Sequence, residues 1–597
     1  MKSLMLLARE LLADASNWCH VSTSRDYNTI TARCENEGIS FLTISLPKFC
    51  DDFQIALDTG LVSPDLFAGF RKKGMSPLFL GGLMDLVFAR DSGRLVDVPS
   101  IDAIRLIRQI CLAFGKINLP CSDARVKSAI IKYIDCESDV RRYDAVFPAK
   151  RAAFMRMSIK LWGQLLSNVD RAVYTNSVYP KHGPGATADK LVGNDKWNQR
   201  VWTTRLENEF PMAEFAFSSY SEFLSHSQDI SHLEPGAELP VRVITVPKTL
   251  KTPRIIAIEP TCMQYTQQAI LQCLVDEIER DDNAFEFIRF IRQEPNQHLA
   301  KLGSIDSSLA TLDLSEASDR VSNQHVRALL KHHGSLARAV DACRSRKADV
   351  PGYGVRRLAK FASMGSALCF PFEALTFCTV IFLGIERALN RPLTRKDITS
   401  FYGKVRVYGD DIIVPVEYVN SVVSELESFG FRVNCNKSFW NGKFRESCGK
   451  EYYDGHDVSI SRVRRALPQQ RGDAQEIISS VALRNRLYMD GYWCAAKYLD
   501  TIIQRLIPFP NGLDTSPGLV RTCSLGFASE KEHRTLHKPL IKVMKVVPSK
   551  RKSPLDGSGA LAKCLMPGRF DPFSSDHLQF AGRPTAVGIK RRWSTPY

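Results

Sequence analysis

Two neighbouring carboxylates, Asp410 and Asp411, stand in "RVYGDDIIVP" (406–415) between two β-rich runs. Adjacent acids repel, and strands are poor hosts for aspartate. "KVRVY" and "IIVPV" read as strands, with Gly409 and Asp410 supplying the turn between them. A hairpin tip presents both carboxylates to one region of space, where burying like charges is costly unless a cation neutralises them. Oxygen-only ligands on a short rigid turn suit magnesium. Taken alone, the motif reads as an acidic turn on a surface, since such turns are common.

A second acidic segment lies upstream. In "SLATLDLSEASDRVS" (308–322), Asp313 ends a strand-like run and Asp319 follows. "EASDRVSNQHVRALLKHH" reads as the start of a helix, with Ser315 and Asp319 as available caps. A strand-end Asp beside a hairpin Asp is also how two magnesium ions are clamped for nucleotidyl transfer. That chemistry needs cations for a triphosphate. "VRVITVPKTLKTPRIIAIEP" (241–260) offers Lys248, Lys251 and Arg254 on a strand-loop-strand unit. Each of these parts has a structural explanation of its own; the three together point to chemistry.

The elements that hold these residues belong to a large soluble protein. The chain has 597 residues, 44% hydrophobic and 24% charged, enough for several packed lobes. A net charge of +16 suits a polyanionic partner, nucleic acid being the commonest. The sixteen cysteines include no C-x-x-C pair, which argues against a zinc site of that kind and suits reduced thiols in a cytoplasm. "MKSLMLLARELLADA" reads as an amphipathic first helix, with Leu4, Leu7, Leu11 and Leu12 on one face. "SIDAIRLIRQICLAFGKI" (100–117) and "TCMQYTQQAILQCLVDEIER" (261–280) are helical patterns, and "YPKHGPGATADK" (179–190) is a basic loop. "SALCFPFEALTFCTVIFLGI" (366–385) is almost wholly apolar but carries Pro371 and Glu373, so a buried core helix is expected rather than a membrane span. The basic clusters at 548–552 and 590–593 read as solvated tails.

The order of motifs resembles the right-hand RNA-directed polymerases. "DLSEASD" is similar to their motif A, "SMGSALCFPFEALTF" (363–377) to motif B, "YGDD" to motif C, "NCNKSF" (434–439) to motif D and "FRESCGKEYYDGHDV" (444–458) to motif E. The basic hairpin resembles motif F. The wording of these segments, between about 240 and 458, is close to the replicase subunit of the small positive-strand RNA bacteriophages.

That resemblance implies an α+β fold with fingers, palm and thumb, the palm being an antiparallel sheet that carries the catalytic hairpin. It divides the chain into an N-terminal region with part of the fingers (1–235), fingers with the basic nucleotide-binding hairpin (236–300), palm (301–460), and thumb with a basic C-terminal region (461–597). It implies RNA copying with two Mg2+ ions on Asp313 and Asp410, Asp411 beside them. Asp319, aided by the turn from Ser363 to Gly365, would read the ribose 2′-hydroxyl. Lys248, Lys251 and Arg254 would hold the triphosphate, and Lys437 would protonate the leaving pyrophosphate. Ser366 and Ala367 stand where family members mostly carry Asn and Gly, and serine has the shorter reach. Implied partners are an RNA template, nucleoside triphosphates, host elongation factors Tu and Ts and a small-subunit ribosomal RNA-binding protein, with no membrane, in the cytoplasm of an infected bacterium. Two alternatives stay open on the residues: a reverse transcriptase, against which Gly409 and Asp319 speak, and a non-catalytic RNA-binding scaffold, against which the intact aspartates speak.

Overall fold

A computed structural model describes residues 1–183, 185–548, 554–565 and 587–597. The basic cluster at 548–552, apart from Pro548, lies outside the described residues.

The helices that matter here are α1 (Lys2–Cys19), α2 (Leu46–Thr59), α3 (Ile101–Leu112), α4 (Asp123–Val146), α5 (Arg151–Tyr174), α6 (Thr261–Ile278), α7 (Glu294–Asp306), α8 (Cys369–Leu389), α9 (Ala474–Met489) and α10 (Trp493–Leu506). The strands are β1 (Val241–Val246), β2 (Arg254–Ile258), β3 (Leu309–Ser315), β4 (Lys347–Val350), β5 (Gly354–Arg357), β6 (Arg406–Tyr408), β7 (Asp411–Pro415), β8 (Arg432–Val433), β9 (Phe444–Ser447), β10 (Lys450–Tyr453), β11 (Pro539–Pro548) and β12 (Val587–Ser594).

The expected α+β class is present, and the strands that carry Asp313 and Asp411 form an antiparallel sheet. Strands run in the order β6-β7-β3-β8, every neighbouring pair antiparallel. Strand alternation sets which face each side chain takes. Ala310, Leu312 and Leu314 of β3, with Ile412 and Val414 of β7, enter the central hydrophobic core, built with α5, α6 and α8. The intervening residues face the other way. There Leu309 and Ile413 pack under Leu299 of α7, and Asp313 and Asp411 follow on that same face.

A second sheet, β2-β1-β4-β5, carries the basic loop between β1 and β2. The amphipathic first helix is α1, with Leu4, Leu7, Leu11 and Leu12 buried as expected. It packs not into a separate lobe but into one core shared by α2, α3, α9 and α10, which also takes Phe439, Phe444 and Tyr453. Asp14 of α1 accepts hydrogen bonds from the backbone N–H groups of Cys494 and Ala495 and so caps the start of α10 from a distance of 480 residues or more in sequence.

Two expectations need correction, and a third is met. The helix expected after Asp313 is broken: Ala317–Arg320 is one short turn, and Asn323–Leu329 starts anew behind a capping box of Ser322 and His325. Ser315 ends β3 instead of capping a helix, and Asp319 is otherwise engaged. Residues 590–593 are not a tail but part of β12, which pairs along its length with β11. The apolar segment is α8, the one described helix long and apolar enough to cross a membrane, and it lies inside the central core.

Helix α8 packs closely on the helix Val419–Ser428. A Cβ at Gly384 would lie 2.7 Å from the Val422 Cα. Gly384→Ala is expected to cost roughly 1–3 kcal/mol by overpacking, read as a lower denaturant midpoint with an unchanged slope.

Candidate functional site

Asp313 and Asp411 are direct cross-strand partners, and Tyr408 pairs with Asp411, so Gly409 and Asp410 form a two-residue turn at the sheet edge. Gly409 has φ 62°, the positive value that a type II′ hairpin requires at its first turn position. A Cβ there would also lie 2.6 Å from Phe370 of α8. Conformation and packing both demand glycine.

The "NCNKSF" segment wraps Asp313. Asn434 Nδ2 donates to Asp313 Oδ2 at 2.7 Å, its backbone N–H donates to the Asp313 carbonyl at 2.8 Å, and Ser438 Oγ accepts from the Asp313 N–H at 3.1 Å. Burial raises the Asp313 carboxyl above its ordinary range and Asp410 adds to the rise, against the pull of Lys437, Asn434 and Lys248. Asp411 is pushed up to about 7, by burial first and then by Asp410, Glu446 and Asp313, although the Cys448 backbone N–H donates to it.

Cations answer this charge. Desolvation lowers Lys437, but Glu446, Asp313, Asp51 and Asp410 outweigh it, and the net shift is upward. Lys248 is lowered by desolvation and by the nearby Arg254 and Lys437, while Asp410 and Asp313 oppose the change. Lys248 and Lys437 thus stand over the same two aspartates. Lys251 acts instead on Asp51 of α2, and Arg254 reaches the site through its effect on Lys248. The loop is steadied from α4, where Arg125 Nη1 donates to the Leu250 carbonyl at 2.9 Å.

The predicted sugar-reading residues also come together. Asp319 Oδ1 accepts from Ser363 Oγ at 2.9 Å and from Lys360 Nζ at 3.0 Å. Lys360 is fully buried, lies 3.6 Å from the centroid of the Tyr133 ring and 3.5 Å from Glu137 Oε1. The Tyr133 hydroxyl is 3.1 Å from Ser363 Oγ. Gly365, at φ 130°, leaves no room for a side chain, because its Cβ would fall 2.0 Å from the Ala257 carbonyl oxygen. Ser366 turns toward α6: its hydroxyl and the Ala367 N–H both donate to Gln267 Oε1 at 3.1 Å.

Several of these neighbours were missed by the sequence reading. Lys360 is a lone cation in "LAKFASMG", and a cation in an apolar run signals a buried pair. In the sequence Glu373 reads only as a charge unsuited to a membrane. It is buried in α8, where Ser318 Oγ donates to its Oε2 at 2.7 Å. Tyr133 and Glu137 sit outside every recognised motif, so no local signal pointed to them.

Among the described residues no three acidic, histidine or cysteine side chains stand close enough to share one metal ion. The donor chemistry of the sheet edge nevertheless fits magnesium. It offers carboxylate oxygens alone, and burial and mutual repulsion hold two of its carboxyls above their ordinary range, a strain that a divalent cation relieves.

The comparisons bear out the resemblance for the central segment. Residues 235–481 match the family model described as RNA replicase, beta-chain. The chain is 33% identical over 272 residues to the RNA-directed RNA polymerase subunit beta of Qbeta virus (strain MX1), covering 45% of this chain and 42% of that protein. It is 30% identical over 366 residues to the same subunit of Enterobacteria phage SP, covering 59% of each. It is 36% identical over 219 residues to the RNA-directed RNA polymerase beta chain of Escherichia phage MS2, covering 36% of each. The aligned part therefore spans between 36% and 59% of these relatives. Among solved structures, the RNA-dependent RNA polymerase of a human picorbirnavirus aligns with 12% identity and a TM-score of 0.31, over 44% of this chain and 55% of that one. Every predicted site residue, from Lys248 to Lys437, falls inside the segment 235–481.

Burial, and next the charges of Asp410 and Asp319, push Glu373 up to about 8 from an ordinary 4.5, against the Ser318 hydrogen bond. Between those values the unfolded chain is ionised while the folded one keeps its proton. This group's contribution to stability therefore falls as pH rises from 4.5 to 8 and levels off above. Glu373→Gln is expected to flatten the decline in thermal midpoint across that window, measured in metal-free buffer.

Proposed function

We propose that this chain, whose central segment is that of the RNA replicase beta-chain family, is an RNA-directed RNA polymerase that copies a positive-strand RNA genome. One observation carries the reading: Asp313 and Asp410 at one sheet edge share Lys248 and Lys437 as counter-charges. That is a site for a triphosphate and its leaving group, brought together from four separate segments.

In this reading a 3′-hydroxyl attacks the α-phosphate of a nucleoside triphosphate in line, and pyrophosphate leaves. Two magnesium ions, held by Asp313 and Asp410 with Asp411 beside them, would supply the positive charge that favours the attacking and leaving oxygens. The chain's own residues position and neutralise. Lys248, Lys251 and Arg254 bind the triphosphate oxygens. Lys437 hands a proton to pyrophosphate, and the carboxylates around it keep it protonated until then. Asp319, held through one oxygen by Lys360 and Ser363, offers the other to the ribose 2′-hydroxyl. Ser366 is bonded to Gln267, so it supports the motif B turn and leaves sugar recognition to Asp319.

The fingers, palm and thumb follow the divisions 1–235, 236–300, 301–460 and 461–597. The chain acts in the cytoplasm of its infected bacterial host, as one subunit with host proteins. Elongation factors Tu and Ts and a small-subunit ribosomal RNA-binding protein are the partners that the resemblance favours, and co-purification from the host tests them.

Asp410→Asn is expected to reduce RNA-templated ribonucleotide incorporation to below about one hundredth of the parent rate; undiminished synthesis overturns the assignment. Lys437→Gln is expected to lower kcat by about 100-fold or more with a much smaller change in KM, and to remove the alkaline limb of the pH–rate profile. Retention of that limb would exclude the acid role.

A further inference from the structure

A cationic surface without a role in the reading above is the ribbon formed by β11 and β12. Residues 530–548 and 587–597 carry eight lysines and arginines against two glutamates, Glu530 and Glu532. Among the described residues none of Lys531, Lys542, Lys545, Lys590, Arg591 or Arg592 has an acidic ion-pair partner. The register makes this costly. Lys545 stands directly opposite Lys590, and like charges across a strand pair are destabilising.

The ribbon is firmly built. Ile541 and Val543 are buried against Val520, and Met544 and Ile589 pack on the core shared by α1, α9 and α10. At its end Trp593, directly opposite Lys542, remains 40% exposed. The ammonium groups of Lys531 and Lys542 both lie 5.5 Å from the centroid of its ring. Arg591, two residues away on the same strand face, is also exposed.

We propose that this ribbon binds single-stranded RNA, with one base stacked on Trp593 and neighbouring phosphates held by Lys531, Lys542 and Arg591. An open indole flanked by unpaired cations is the arrangement that such strands favour, since every base offers a flat face and every linkage a negative charge. This deepens the RNA-copying reading by giving the template a docking surface outside the matched segment, yet binding here needs none of the catalytic groups.

The test uses the full chain and a labelled single-stranded 20-mer RNA titrated over a range of salt. Trp593→Ala is expected to weaken binding by about 5- to 100-fold, and Trp593→Phe to restore most of it. Replacing Lys531, Lys542 and Arg591 together by Ser is expected to reduce the slope of log affinity against log salt by about 2. Extension of a short hairpin primer-template should be unchanged in all three. Parent-like affinity and slope in Trp593→Ala and the triple variant would overturn the proposal. So would displacement by poly-glutamate as effective as by RNA, which would assign the ribbon to an acidic protein. If the parent chain makes no RNA but binding still depends on Trp593, the ribbon proposal stands and the polymerase reading falls.

Discussion

The site is organised around repulsion. Antiparallel pairing places Asp313 directly opposite Asp411, and the tight turn sets Asp410 beside them. Water cannot screen these charges fully, because one face of the sheet is core and the other is partly roofed by α7. The rest of the site answers that constraint. Lys248 arrives on a separate hairpin, Lys437 on the segment after β8, and Asn434 holds one oxygen of Asp313. A sheet edge that concentrates negative charge, with two lysines set against it, is an arrangement in which charge of either sign is only partly screened by water.

Helix α8 governs the geometry of that edge. Phe370 fills the space over Gly409, Glu373 fastens Ser318, and the turn before the helix fastens Asp319 through Ser363. The two acidic segments are thereby referred to one rod that is buried along most of its length. Helix α4 does the same from the opposite side through Tyr133 and Glu137, which enclose the Lys360 ammonium. A buried cation is tolerated only with such partners, so Lys360, Asp319 and α4 are mutually dependent.

Much of this was legible in order along the chain. The hairpin, the strand ending in Asp313, the basic strand-loop-strand and the apolar helix all carry short-range signals, period two or an unbroken apolar run, that survive tertiary packing. What escaped reading depends on distant contacts. The break between Arg320 and Ser322 was invisible because the run on either side is helix-compatible, and the Phe361 N–H donating to the Val321 carbonyl is what holds it extended. Residues 590–593 read as a tail because three consecutive cations mask the period-two run of Val587, Ile589 and Trp593; pairing with β11 supplies the order. Ser366 looked like a weakened sugar reader, and only the position of Gln267, 99 residues away, reveals its use.

The core that α1 shares with α9 and α10 bears on how the protein is made. The first hundred residues expose an apolar face until residues 474–506 leave the ribosome to cover it, and Asp14 has no N–H groups to cap until Cys494 and Ala495 arrive. Such sequence-distant closure is slow and leaves sticky surface exposed during synthesis. It also means that β9, whose Phe444 belongs to this core, is locked beside the aspartates only after residues 474–506 have been made. The fold thus delays the framing of these aspartates until residues 474–506 have been made, and a product cut short of them would carry its aspartates without the frame that aligns them.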